Sequence, residues 1–136
     1  METNLLLISS LLFVTNTVTT CYKQYYLYAF LFAGLTTTSL LVHTTLIKDK
    51  YTAQIMDKVF ILSIVIYGGH LLYQKSTGNL IRVLSVMLLF LLTSFLYIYG
   101  YAVNQYCFHP DLCTGNRYHC LLHLASSIGH HLITFL

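Results

Sequence analysis

Charge is what this sequence has least of. Only 8% of its 136 residues are Asp, Glu, Lys or Arg, against about 25% in a soluble domain, so the chain cannot clothe a water-facing surface. Those charges stand singly between apolar runs. They make no basic block to grip a polyanion, and no nucleic-acid partner is expected. Paired C-x-x-C spacing is missing too, so Cys21, Cys107, Cys113 and Cys120 do not read as a zinc finger. Cys107 and Cys113 bracket the short loop CFHPDLC, which fits either a disulfide facing an oxidising lumen or two ordinary thiols. No internal repeat or low-complexity tract is visible. No Lys or Arg precedes the first apolar run, so the basic n-region of a signal peptide is lacking, and a retained first helix is expected.

Apolar residues fill the chain instead: 57% of it is hydrophobic and the mean hydropathy is +0.69. Five apolar runs, at 5–20, 25–47, 56–73, 84–104 and 118–136, are separated by polar stretches at 48–54, 75–82 and 105–117, the last holding the single proline, Pro110. A helix rises about 1.5 Å per residue and a hydrocarbon core is about 30 Å thick, so such runs suit membrane helices and are too long for membrane strands. The fold class expected is therefore an all-α membrane protein, with residues 1–136 forming one transmembrane domain of about five helices. Its location is integral to a membrane, multi-pass, in an endomembrane or the plasma membrane. Lys48, Lys50, Lys58 and Arg117 collect on one side, and Lys23, Lys75 and Arg82 on the other, a balance that leaves the orientation open. Tyr22, Tyr25, Tyr26, Tyr73, Tyr101, Tyr106 and Tyr118 read as aromatic belts near span ends.

An ionisable side chain at the centre of a membrane helix costs on the order of 2.5–3.5 kcal/mol, and such residues usually mark a site. Following the chain across the bilayer, the end of the second span, the start of the third and the start of the fifth meet at one surface. Ser39 and His43 lie at the first of these ends, Asp57 at the second, and His119 and His123 at the third. The four-residue spacing of His119 and His123 puts both imidazoles on one helix face. Three neutral imidazoles suit zinc and leave a fourth tetrahedral position open, the pattern of catalytic zinc. Water on such an ion can have a pKa near 7, with Asp57 as general base and Ser39 bonding that water, orienting His43 or donating to an oxyanion. Cys120 stands where an H-E-x-x-H metalloprotease needs its glutamate. Of the other histidines, His130 shares the face of His123 and reads as packing or cavity lining. His131 reads as packing, His70 as interfacial and His109 as a solvated loop residue. Thr36, Thr37 and Thr38 read as small polar packing residues.

Ser39-x-x-x-His43, an aspartate opening the next span at Asp57, and His119-x-x-x-His123 in the last span together resemble the signature of the CREST superfamily. That group includes alkaline ceramidases, adiponectin-receptor-like proteins, lipid-remodelling hydrolases of GPI-anchor maturation and myomaker relatives. The resemblance implies a shortened form of a seven-helix fold. It implies a Zn2+ ion on His43, His119 and His123, with Asp57 handling the zinc-bound water and Ser39 supporting it. Losing two helices between the third and the last preserves the sidedness of the site and thins the wall around a lipid cavity. A second copy of the chain is one source of the missing wall.

Two functions follow as expectations. The first is a zinc-dependent intramembrane hydrolase that cleaves a lipid amide or ester, with catalytic Asp57 and Ser39, metal-binding His43, His119 and His123, and a membrane lipid as substrate. The alternative is a non-catalytic multi-span module, receptor-like or membrane-remodelling, in which zinc clamps the helices.

Overall fold

In a bilayer, backbone groups find no partner in the solvent, so apolar runs close their own hydrogen bonds as helices. The computed structural model describes residues 2–136 and has no strand among them. Helices α1 (Glu2–Ser10) and α2 (Leu12–Tyr22) form one near-continuous rod, and α3 (Tyr26–His43), α4 (Tyr51–Lys75) and α5 (Leu80–Ser94) follow. A π-helical turn at Phe95–Tyr99 joins α5 to the short α6 (Gly100–Val103), and α7 (Leu112–Thr134) comes last. Four of these rods, Asn4–Tyr22, Tyr26–His43, Tyr51–Lys75 and Leu80–Val103, are long and apolar enough to cross a membrane. That is the make-up of a multi-pass membrane protein.

The helix α7 differs from the other four. It has the length of a span, 23 residues, without their apolarity. It turns Leu121, Leu124 and Ile128 outward while His123, Ser127 and Thr134 are buried. The rod α1–α2 packs on α3 and α7, α4 packs chiefly on α3, and α5 packs on α7. A small apolar core of Phe13, Tyr28, Phe32, Leu35, Ile64 and neighbours holds the middle. Much of the rest of the interior is polar: Ser9, Ser10, Asn16, Thr20, Thr38, Ser39 and Ser127 are all buried, while large apolar side chains such as Val18, Phe30, Leu62, Leu88 and Ile98 face outward. This arrangement suits lipid surroundings, where hydrophobic burial does not drive helices together and small polar contacts do.

Helix ends explain where the spans begin and stop. The last helix starts at Leu112, six residues before the apolar run at 118, because the Asp111 side chain accepts a bond from the Thr114 amide at 3.0 Å and caps it. The Thr114 hydroxyl, also bonded to Asp111, is the main reason its exposed carboxyl is held below the usual carboxylate range. Asn79 caps α5 in the same way through the Arg82 amide, at 3.2 Å. The third helix ends at His43 rather than at residue 47, and the fourth begins at Tyr51 rather than at 56. At the far end of α7, Lys75 and Arg82 donate to the carbonyls of Ile133 and Phe135, placing cations at the negative end of the helix dipole. No disulfide joins Cys107 to Cys113. Burial pushes the Cys107 thiol up to about 11.

One contact ties α2 to α7 more tightly than the rest. Asn16 Nδ2 donates to the Ser127 carbonyl at 3.1 Å, and the Ser127 hydroxyl donates back to Asn16 Oδ1 at 2.6 Å. Asn16→Ala is expected to cost about 0.6–2 kcal/mol of stability. The Asn16→Ala/Ser127→Ala double variant should cost less than the sum of the two singles. Denaturation in detergent measures all three, and simple additivity would count against the pair.

Candidate metal centre

Two helices deliver three imidazoles to one place. His43 is the last residue of α3, while His119 and His123 lie one turn apart near the start of α7. The ring centroids are 4.9 Å apart for His43–His119, 4.7 Å for His119–His123 and 5.7 Å for His43–His123. One ring nitrogen from each lies within 4.8 Å of the others. Nitrogens on a single tetrahedral zinc sit about 3.3 Å apart, a difference that rotation of the side chains covers. Neutral imidazoles are the ligand type that zinc and other borderline metals take. The residues present therefore fit a divalent metal. His123 is buried and its ring is walled by Phe13, edge to face at 5.3 Å. His43 and His119 are half-buried, so the side of the cluster away from Phe13 is the more open one.

The other two residues that the sequence pattern singles out are held close by. Asp57 sits in the second turn of α4, and its Oδ1 accepts from the Thr38 hydroxyl at 2.9 Å. Thr38 adjoins Ser39, so this bond brings the carboxylate to the level of Ser39 on α3. A carboxylate has lone pairs on two oxygens, and Thr38 occupies one position. Tyr97 stands in the π-helical turn, a feature often found where a helix is adapted to a site. Ser39 is 2% exposed and its hydroxyl pairs with that of Ser10 at 2.8 Å.

The first helix supplies groups that the sequence pattern does not single out. Ser9 Oγ lies 2.8 Å from His123 Nδ1, and Ser10 holds Ser39. Serines in membrane helices ordinarily bond their own preceding turn, and both of these do so, at 3.0 and 2.9 Å from the Leu6 carbonyl. They look unremarkable in the sequence for that reason. The available signal is depth: the start of the first span lies at the same membrane surface as the end of the second. Thr38, read with Thr36 and Thr37 as a packing residue, turns out to be the partner of Asp57.

Below the cluster, the remaining histidines of α7 are satisfied by neighbours. His130 pairs through Nδ1 with the Tyr28 hydroxyl, and His131 bonds Thr15 and Thr19 at 2.9 and 3.2 Å. Gly68 makes room for the first pair, since a Cβ there would lie 2.9 Å from the Tyr28 oxygen. His70 is exposed on α4. His109 is half-buried rather than solvated and accepts the Asp111 amide at 3.0 Å.

The chain matches no protein-family model, no curated protein and no solved structure.

The three imidazoles act as a set. Removing an outer partner of a metal ligand typically costs about 10–100-fold in affinity, and removing the ligand itself costs more. Each of His43→Ala, His119→Ala and His123→Ala is therefore expected to weaken zinc binding by on the order of 100-fold or more in a competition titration with a chromophoric chelator. Retention of wild-type affinity by any one of them would remove that histidine from the set.

Proposed function

We propose that this chain is a zinc-dependent intramembrane hydrolase that cleaves an amide or ester bond of a membrane lipid, in the manner of the CREST superfamily that its motif resembles. The observation that carries the reading is the convergence of His43, His119 and His123 with one nitrogen each inside 4.8 Å, with Asp57 held at the level of Ser39 by Thr38. Zinc, when bound, supplies a Lewis acid for the scissile carbonyl and acidifies water toward neutral pH.

The chain's own residues divide the remaining work. His43, His119 and His123, from two helices, would hold the ion, three ligands being the set of a catalytic zinc. Asp57 takes the proton of the attacking water and returns it to the departing amine or alcohol, so the carboxylate is unchanged over one turnover. Thr38 fixes its position.

A lipid substrate follows from the setting. The site is reached through a bundle whose outer surface is apolar. Among the described residues, α4 packs on α3 and α5 on α7, with no comparable packing between α4 and α5. These two helices are joined only by the turn at Ser76–Asn79, on the side opposite the histidines, so their seam is the natural lateral entry from the bilayer.

Asp57→Asn separates a catalytic site from a helix clamp. The account expects at least a 100-fold loss of hydrolysis, within the range for a lost general base, with zinc content and thermal stability close to wild type. The assay is release of fatty acid from ceramides and glycerolipids in mixed micelles. Unchanged hydrolysis in Asp57→Asn would overturn the role of Asp57. An ion that is bound and stabilising, with no hydrolysis of any lipid in the wild type, would favour the clamp.

A further inference from the structure

Resting on the metal reading above, the hydroxyl protons around His123 and Ser39 can be followed from donor to acceptor. Ser9 and Ser10 each own one hydroxyl proton, and both hydroxyls are within bonding distance of the same acceptor, the Leu6 carbonyl, at 3.0 and 2.9 Å. A carbonyl oxygen only accepts. That carbonyl has two lone pairs, and inside α1 one of them serves the helix ladder, so it has room for one hydroxyl proton. With the Ser9 proton on it, Ser9 Oγ, 2.8 Å from His123 Nδ1, receives the Nδ1–H of that ring. Ser10 Oγ lies 2.8 Å from Ser39 Oγ, and the two hydroxyls share a hydrogen bond.

One consequence follows. The His123 proton rests on Nδ1, which leaves the lone pair of Nε2 for a metal. Ser9, Ser10, Ser39 and His123 are 8%, 0%, 2% and 5% exposed, so bulk water does not substitute for these bonds.

We infer that the Leu6–Ser9–Ser10 turn of the first helix is an orienting device for the metal centre: Ser9 is a positioning residue that sets the tautomer of His123, and Ser10 one that holds the Ser39 hydroxyl in place. The local backbone is consistent with this load. Two hydroxyls on one carbonyl crowd the turn, and the rod tightens immediately afterwards, with the Leu11 amide bonding Ile8 at 3.1 Å and the Val14 amide bonding Leu11 at 3.0 Å, the shorter i to i−3 pattern. The first helix thus does more than complete the bundle. It carries the outer partners of one ligand and of the one buried hydroxyl beside it.

The test reads the tautomer directly. In metal-free protein labelled with 15N-histidine, long-range 15N–1H spectra should show His123 protonated on Nδ1. Ser9→Ala should release that preference and weaken zinc binding by about 10–100-fold, and Ser9→Thr, which keeps the hydroxyl, should restore both. A His123 protonated on Nε2 in the wild type overturns the inference without reference to metal. So does a Ser9→Ala protein with unchanged tautomer and unchanged zinc affinity. Wild-type protein that takes up no zinc overturns the metal reading, and the role given to Ser9 with it.

Discussion

A polar side chain inside a bilayer must find its partner within the protein, and α7 imposes that requirement at every turn. It carries His119, His123, Ser127, His130, His131 and Thr134 along its 23 residues. Almost the whole arrangement of the bundle can be read as a response. The rod α1–α2 runs alongside and provides Ser9 for His123, Asn16 for Ser127, and Thr15 and Thr19 for His131. The third helix contributes Tyr28 to His130. Among the described residues no buried side-chain nitrogen or oxygen lacks a hydrogen-bond partner.

Within this satisfied interior the metal cluster stands apart. The rings of His130 and His131 are taken up by hydroxyls. At the other end, His43, His119 and His123 face one another, three groups that each offer a nitrogen lone pair. Neutral imidazoles gathered in that way gain most from a shared cation. The bilayer setting also explains why the remaining chemistry is held by short, neutral hydroxyls. Thr38 on Asp57 and Ser10 on Ser39 fix the catalytic candidates without adding a second buried charge, which at membrane depth would be the costly choice.

Much of this is legible in the sequence because membrane crossing imposes parity. Once the apolar runs are counted, His43, Asp57 and the His119/His123 pair fall at one surface. The structure places the three imidazoles together and Asp57 beside Thr38. The ends of the spans were less legible. Hydropathy does not register a cap, and Asp111 and Asn79 start α7 and α5 several residues before the apolar runs begin. The polarity of α7 is also masked by its length, since an outward face of Leu121, Leu124 and Ile128 hides an inward one that buries His123, Ser127 and Thr134 beside Ala125 and Ile133. Ser9 and Ser10 escaped notice because a serine bonded to its own helix leaves no pattern in the sequence, and only the packing of the first helix against His123 and Ser39 gives these two a role.

The central claim is that three imidazoles from α3 and α7 hold one metal ion with a side left open. X-ray absorption at the zinc edge, on protein purified in detergent without chelators, tests it most directly. The account predicts about one zinc per chain, with three imidazole nitrogens and one lighter oxygen scatterer at about 2.0–2.1 Å. Protein free of metal would contradict it, as would a sulfur scatterer at about 2.3 Å marking a closed, cysteine-bearing site.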